Sequence, residues 1–321
     1  MPPKPSPFAD ACSGAAGAVF ANWLVFPLDV IKTRLQTQNK LVKGSEHYAN
    51  SLDAFVQIIK KEGIAGLYSG LGAGLFGTVA SAFCYFYFYS TIRAKHVASI
   101  PAGQEISTPM ELIMGALAGA LCQCFTLPIA VVTTRQQTLP PGERQSFIET
   151  FNTVLEGDGV QGLWKGFKAS MILCVNPAIT YGMFERVKAI WLKRKAKLGG
   201  SLALTSWEVF MVGALSKTLA TVVTYPYIMA KVRMQWAVPK SANDLSETDR
   251  KSLQYKGSVD VLKKVFATDG LKGWYKGMQT QIVKAVLCQA ILFVSREKLL
   301  AYTLAVFALL GKGEGVNAVV N

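Results

Sequence analysis

Histidine and charge are scarce in this chain. Only 2 of its 321 residues are histidine, and Asp, Glu, Lys and Arg make up 17%, below the roughly 25% of ordinary soluble domains. None of the six cysteines has C-x-x-C spacing, and each lies within an apolar run. Zinc ribbons and thioredoxin-type sites therefore lack their ligands, and no metal and no cofactor is expected.

Nucleic-acid binding and enzymatic chemistry are also disfavoured. The chain has 34 Lys and Arg against 20 Asp and Glu, a net charge of +14, but these charges do not gather on polar segments. No catalytic triad or Walker loop is present. Residues 72–77 fit G-x-G-x-x-G, yet no strand precedes them, and small residues in an apolar run are typical of close helix packing in membranes.

Hydrophobic residues make up 51% of the chain and gather in six long runs. A spanning helix needs about 20 mostly apolar residues. Three runs reach that length outright, at residues 64–92, 112–134 and 209–230. The other three reach it when their polar ends are counted, at residues 11–28, 169–184 and 282–295. The pattern predicts an all-α membrane protein with six transmembrane helices.

The chain also repeats itself three times. Each odd-numbered run closes on a proline with Arg at +7 and Gln at +9, and these prolines, 101 and 98 residues apart, are Pro27, Pro128 and Pro226. Each even-numbered run follows an acidic residue and a glycine, then an aromatic residue two positions before a second glycine. Such self-similarity predicts three structural units, at residues 1–101, 102–200 and 201–321.

These two motifs, in three copies, resemble the mitochondrial carrier family over essentially the whole chain. Within that family, residues 127–138 and 213–226 look like the peroxisomal adenine nucleotide branch. The resemblance implies three pseudo-threefold repeats of tilted helices, joined by short connecting helices, around one central site. It implies transport by alternating access in the peroxisomal membrane, with the mitochondrial inner membrane as the alternative. Membrane lipids and the peroxisomal membrane import machinery are the implied partners, and the chain is expected to be a monomer.

The basic cluster at residues 193–197 has two interpretations. It is either a patch for lipid headgroups or, from the resemblance, a peroxisomal membrane targeting signal.

The resemblance also implies a gate at the end of the odd helices. In the family, the acid at proline +2 pairs with the base at +5 of the next odd helix. The corresponding pairs here are Asp29 with Thr133, Ala130 with Lys231, and Ile228 with Lys32. No ion pair of this kind is complete, which predicts a weak gate. The three glutamines at +9 are expected to brace the same layer by hydrogen bonds, namely Gln36, Gln137 and Gln235.

At the opposite mouth the family uses an aromatic-acid-x-x-base pattern on the even helices. Glu185 belongs to a full match, Arg93 to a copy without its acid, and Glu297 to a copy that keeps only the acid. In the family's pairing order only Glu297 with Arg93 can form. The alternative for these charges is that they snorkel at a helix end.

Two lysines mark the predicted substrate path. Lys217 and Lys284 each lie in an apolar run, with no Asp or Glu within seven positions. A charge inside the bilayer costs at least about 2.5 kcal/mol, so it normally faces a wet cavity. Two unpaired cations predict an anionic substrate, and the alternative is that each lysine snorkels.

Further substrate contacts are predicted at equivalent cavity positions. Asn22 and Gln123, each five residues before a motif proline, are expected to hydrogen-bond a base or ribose. Asn176 is a weaker candidate, because packing amides are common in membranes. The family's remaining contact points are small or apolar here and predict a slot for an adenine ring, at Gly77, Leu173 and Cys174.

The predicted function is exchange of cytosolic ATP for matrix AMP or ADP. Coenzyme A, FAD and NAD-type cofactors are alternative substrates, because all share the adenosine phosphate group and charge does not separate them. A non-transporting membrane scaffold is the alternative of another class. The incomplete gate pairs favour the scaffold, and the two lysines favour transport.

Overall fold

The structure is a computed structural model that describes residues 7–38, 47–101, 106–197, 204–238, 253–288 and 290–291. Within these ranges it contains helices and no strand, as the hydrophobic pattern predicts. The helices are α1 (Pro7–Thr37), α2 (Ser51–Gly66), α3 (Leu71–Ser99), α4 (Thr108–Thr138), α5 (Phe147–Gly162), α6 (Phe167–Leu173), α7 (Asn176–Lys197), α8 (Ser206–Gln235), α9 (Ser258–Trp274) and α10 (residues 278–288).

Three of the described helices are long and apolar enough to cross a membrane by length and composition, namely Leu71–Ser99, Thr108–Thr138 and Trp207–Gln235. They coincide with the three runs that the sequence qualifies outright. Large apolar side chains point away from the bundle, as Phe83 and Phe86 on α3 do at 72% and 64% exposure. An apolar surface of this kind is suited to lipid. The remaining membrane segments are α1, α6 with α7, and α10.

The fourth membrane segment is two helices, although the sequence predicts a single run over residues 169–184. Helix α6 ends at Leu173 and α7 begins at Asn176. Pro177 explains the break, because proline has no N–H for the carbonyl of Leu173 and its ring would clash with that carbonyl. The segment is therefore interrupted next to Asn176.

Each repeat has its own small core. The first, third and fifth membrane segments are α1, α4 and α8, and we call them the odd helices. Each of them continues past its motif proline. The part after each proline packs on the connecting helix of the same repeat. The buried residues of these cores include Ile31, Leu35 and Ile58 in repeat one, Val131 and Val154 in repeat two, and Met229, Val261 and Val265 in repeat three.

Glycines of the acidic motif close the three repeats into a ring. Gly70, Gly166 and Gly277 have φ angles of 76°, 84° and 77°, in the left-handed region that favours glycine. A Cβ atom on each would lie 3.2–3.4 Å from a carbonyl oxygen of the next odd helix: Thr133 for Gly70, Lys231 for Gly166 and Lys32 for Gly277. These carbonyls all belong to the residue at proline +5. The start of the even membrane segment in each repeat thus packs against the odd helix of the following repeat, and repeat three packs against repeat one.

Candidate functional site: a glutamine layer below a cationic cavity

The three motif glutamines form hydrogen bonds between the odd helices. Thr33 Oγ1 donates to Gln137 Oε1 at 2.8 Å, which joins α1 to α4. Thr134 Oγ1 donates to Gln235 Oε1 at 3.1 Å, which joins α4 to α8. Gln36 Nε2 donates to the hydroxyl of Tyr225 at 2.8 Å, which joins α1 to α8. We call the residues at proline +6 to +9, with Tyr225, the glutamine layer, and each pairing of odd helices a seam.

The motif arginines add backbone contacts to two of the three seams. Arg34 Nε donates to the carbonyl of Gln137 at 3.0 Å, and Arg233 Nε donates to the carbonyl of Gln36 at 2.8 Å. The equivalent atom of repeat two, Arg135 Nε, is buried and has no hydrogen-bond partner among the described residues. The glutamine layer therefore has threefold symmetry in its sequence, but its hydrogen bonds do not follow that symmetry.

Each acidic motif forms ion pairs, which our reading of the sequence did not predict. Arg34 pairs with Glu62, and Arg135 pairs with Asp158. In repeat three, Lys276 pairs with Asp269 at 2.7 Å. The signal was present, because Arg at +7 and the acidic residue occur in all three repeats.

Asp158 lies on the connecting helix α5, outside the membrane segments, and its environment shifts the pKa of its carboxyl. Burial raises the pKa of this carboxyl, but hydrogen bonds from Lys165 and the Arg135 guanidinium outweigh burial. The net pKa lies below the ordinary value. Asp158 therefore stays ionised and holds the connecting helix α5 to α4.

The structure corrects the expectation that Lys284 is unpaired. Asp29 forms an ion pair with Lys32, one turn along α1 at 2.8 Å, and a second with Lys284 of α10. The acid lies on a different helix, 255 positions away in the chain, so the residues around Lys284 in the sequence do not reveal it. Asp29 thus lies between two cations and links α1 to α10.

The gate residues at proline +2 and +5 form no ion pair between odd helices in the part of the chain that is described. Lys32 has its partner Asp29 on its own helix, and Lys231 donates to Gln123 Oε1 at 3.4 Å. Thr133 Oγ1 donates to the carbonyl of Ile129 in its own helix. The role of these residues as a weak gate stays a prediction.

Both predicted lysines line one cavity of about 520 Å³ between α7, α8 and α10. Lys217 Nζ donates to Asn176 Oδ1 at 3.4 Å, and Asn176 Nδ2 donates to Thr224 Oγ1 at 2.8 Å. Within the described residues, Lys217 forms no ion pair with a carboxylate. Its ammonium group therefore faces the interior of the bundle and is available to an anion.

The other predicted contacts lie outside the wall of that cavity. Asn22 Nδ2 donates to Thr78 Oγ1 at 2.9 Å, and Gln123 accepts from Lys231. A Cβ atom on Gly77 would lie 3.3 Å from Ile129, and one on Gly119 would lie 3.8 Å from the Sγ atom of Cys174. Gly77 and Cys174 thus lie at contacts with α4, and Leu173 is the last residue of α6. Their role in binding an adenine ring stays a prediction.

At the opposite mouth, Arg93 has a partner outside the family's pairing order, and its predicted pair with Glu297 stays a prediction. Arg93 Nε lies 3.3 Å from a carboxylate oxygen of Glu111, near the start of α4. Glu208, near the start of α8, makes the equivalent link to Lys195 of α7 at 2.9 Å. Glu185 pairs at 3.7 Å with Lys188 of its own helix, and Glu297 lies outside the described residues.

The position of Glu208 at the start of α8 has a signal in the sequence. Thr205 and Glu208 have the spacing of a capping box, which marks a helix start, and both bonds of the box are present.

Comparison with known proteins agrees with this architecture. The family model described as "Mitochondrial carrier protein" matches residues 3–98, 104–195 and 203–305. Mitochondrial substrate carrier family protein Q of Dictyostelium discoideum is 34% identical over 305 residues, which cover 92% of this chain and 88% of that protein.

Two further relatives are named as peroxisomal. The peroxisomal nicotinamide adenine dinucleotide carrier of Arabidopsis thaliana is 33% identical over 317 residues, 89% of this chain and 93% of that protein. Peroxisomal adenine nucleotide transporter 1 of Saccharomyces cerevisiae is 32% identical over 311 residues, 90% of each chain. Members of this family are transporters. The chain belongs to the mitochondrial carrier family and to its peroxisomal branch, as a helical protein of the peroxisomal membrane.

Proposed function

We propose that this chain exchanges ATP for AMP or ADP across the peroxisomal membrane by alternating access, as a monomer. The observation that carries the proposal is the cavity that contains both Lys217 and Lys284. Lys284 is paired with Asp29, but Lys217 has no carboxylate partner among the described residues. An uncompensated ammonium group within a membrane segment is costly, and a bound phosphate removes that cost. The proposal needs no bond-making chemistry from the protein, and we assign it no enzymatic activity.

The position of Asp29 suggests how binding reaches the gate. Its carboxylate pairs with Lys284, which lines the cavity, and Asp29 lies about one turn before the glutamine layer on α1. A phosphate that enters the cavity competes with this carboxylate for the ammonium group. Substrate binding therefore weakens a contact between α1 and α10 at the level where the odd helices converge, which favours opening.

Other adenine-containing cofactors are the nearest alternative. The Arabidopsis relative, at 33% identity, is named as a nicotinamide adenine dinucleotide carrier. Coenzyme A, FAD and NAD-type molecules present the same adenosine phosphate to the two lysines. Competition among them against labelled ATP would rank the substrates.

The scaffold alternative makes a different use of the same fold. It needs no cation in the cavity, whereas Lys217 lies there and donates a hydrogen bond to the side-chain amide of Asn176. An ammonium group at this place lowers the stability of the fold, and a bound anion would offset that cost. The observation therefore favours transport.

The test is exchange in liposomes. Purified protein is reconstituted into vesicles that contain AMP, and uptake of labelled ATP and labelled coenzyme A is measured. We expect ATP uptake that requires internal AMP and that falls at least tenfold in Lys217→Gln and in Lys284→Gln. Lys95→Gln is the matched control, because Lys95 is exposed near the C-terminal end of α3. Uptake of neither compound by the wild-type chain would support the scaffold.

A further inference from the structure

The cavity that contains Lys217 and Lys284 also has an apolar end. Its volume of about 520 Å³ lies within the roughly 300–1,000 Å³ typical of small-molecule sites. Beyond the lysines, its wall is formed by Phe184, Val209, Phe210, Gly213 and Ala214. The cavity is therefore polar in one part and apolar with aromatic rings in the other.

Both ammonium groups point towards the motif end of the bundle. Lys217 reaches Asn176, which in turn bonds Thr224, two residues before Pro226. Lys284 reaches Asp29, two residues after Pro27. The cationic part of the cavity is therefore its deep part, next to the glutamine layer.

The aromatic part lies in the opposite direction. Phe210 precedes Lys217 by seven positions on the same face of α8, a separation of roughly 10 Å along the axis at 1.5 Å per residue. Phe184 on α7 shares its helix face with Thr180, which also lines the cavity. Phe210 is supported from outside, since its ring stacks on Trp207 at a centroid distance of 5.5 Å.

Gly213 leaves room between the aromatic rings and the lysines. A Cβ atom on this residue would meet no atom of the described residues within 4 Å, and the glycine lines the cavity. Glycine in a helix interior lowers helix stability, and packing does not require it here. The missing side chain therefore enlarges the apolar end of the cavity.

We propose that this apolar end is the slot for the planar base of the transported anion. The base packs against Phe184 and Phe210 above Gly213, while the phosphates bind Lys217 and Lys284. A molecule with a phosphate at one end and an aromatic base at the other matches the two parts of the cavity. The inference rests on the proposed function and moves the base away from Gly77, Leu173 and Cys174, which do not line this cavity.

The test compares ATP with tripolyphosphate, which has the phosphates without the base. Equilibrium binding of both is measured on the purified full-length chain. We expect the wild type to bind ATP at least tenfold more tightly than tripolyphosphate. Gly213→Leu should weaken ATP binding at least tenfold, which corresponds to about 1.4 kcal/mol, and leave tripolyphosphate binding within twofold.

Gly182→Leu is the matched control for this substitution. Gly182 also lies within a membrane helix, a Cβ atom there also meets no atom within 4 Å, and it does not line the cavity. We expect Gly182→Leu to change neither affinity. Phe184→Ala is the second variant and should also weaken ATP binding about tenfold without affecting tripolyphosphate, because aromatic stacking on the base is lost.

The outcomes separate the two proposals. Equal weakening of ATP and tripolyphosphate in both variants, unchanged ATP binding, or a wild type that does not prefer ATP would each overturn the base slot and leave the carrier function standing. A wild type that binds neither compound would overturn the carrier function and the slot together. If Gly213→Leu does not fold, the ratio of affinities in Phe184→Ala decides.

Discussion

The α1–α4 and α4–α8 seams have the same motif residues but different bonds. In the α1–α4 seam, the side-chain oxygen of Gln137 accepts a hydrogen bond from the hydroxyl of Thr33. The backbone carbonyl of Gln137 accepts a second one from Arg34 Nε. In the α4–α8 seam, the glutamine layer has one hydrogen bond among the described residues, from Thr134 to Gln235. The side-chain amide nitrogen of Gln235 and the Nε atom of Arg135 are buried there and have no hydrogen-bond partner in the ranges that the structure describes. A repeated sequence therefore need not give interfaces of equal strength, and α4–α8 is the seam that we expect to separate first.

The largest difference is expected from removing the arginines. Arg34→Ala should lower the free energy of unfolding by about 3 kcal/mol, because among the described residues it leaves the Glu62 carboxylate, 1% exposed, with Arg144 as its one basic partner. Arg135→Ala should cost about 1 kcal/mol, because Asp158 is 27% exposed and keeps Lys165. Denaturant unfolding of the purified chain measures both. Equal losses would show that neither the burial of Glu62 nor the contact of Arg34 with Gln137 distinguishes the two arginines.

The threonines test the layer directly. Thr33→Val and Thr134→Val each remove one hydroxyl without changing the side-chain shape, at a cost of about 1 kcal/mol. The α1–α4 seam keeps the contact from Arg34, whereas the α4–α8 seam loses its single described bond in the layer. We expect Thr134→Val to raise the initial exchange rate more than Thr33→Val does. The reverse order would show that α4–α8 does not open first.

Adding an ion pair should strengthen the α1–α4 seam. Thr133→Lys places a cation opposite Asp29 at the position where the family has its base. Because Asp29 already has Lys32 and Lys284, we expect the new pair to contribute about 0.6 kcal/mol and to slow exchange about threefold. Thr133→Gln is the control for side-chain length and should exchange faster than Thr133→Lys. An unchanged rate in Thr133→Lys would remove the weak-gate hypothesis.

The smallest effect is expected from pH. The pKa of Asp158 is lower in the folded chain than its ordinary value of 3.8, so its stabilising contribution is complete above that value and is lost as the pH falls through the folded pKa. The free energy of unfolding of the wild type should therefore fall below about pH 4, and that of Asp158→Asn should fall less over the same range. Urea unfolding at pH 6 and pH 3 measures it. Identical pH dependence in both chains would exclude this carboxylate as the cause.

The general architecture could be read from the sequence because it depends on local patterns. Apolar runs give the spans, and the spacing of Pro27, Pro128 and Pro226 gives the repeats. The contacts of the cavity could not be read in this way. Lys284 meets Asp29 only because the ring brings α10 next to α1, and neighbours in the chain do not carry that information.

The interruption at Pro177 and the pairing of Arg93 are intermediate cases. A proline within a run marks a helix break, so the signal was available in the sequence. The pairing of Arg93 with Glu111 needed the packing of α3 against α4, which the motif pattern of the even helices does not describe.

The contact between Gly277 and the carbonyl of Lys32 bears on how this protein is made. The two residues are 245 positions apart, so helix α1 meets its last neighbour only when the third repeat has been synthesised. Until then the first repeat has one uncovered edge. Biogenesis of such a closed ring therefore requires that the early helices be held in a soluble or membrane-bound unfinished state, and a truncated chain of two repeats cannot complete the assembly.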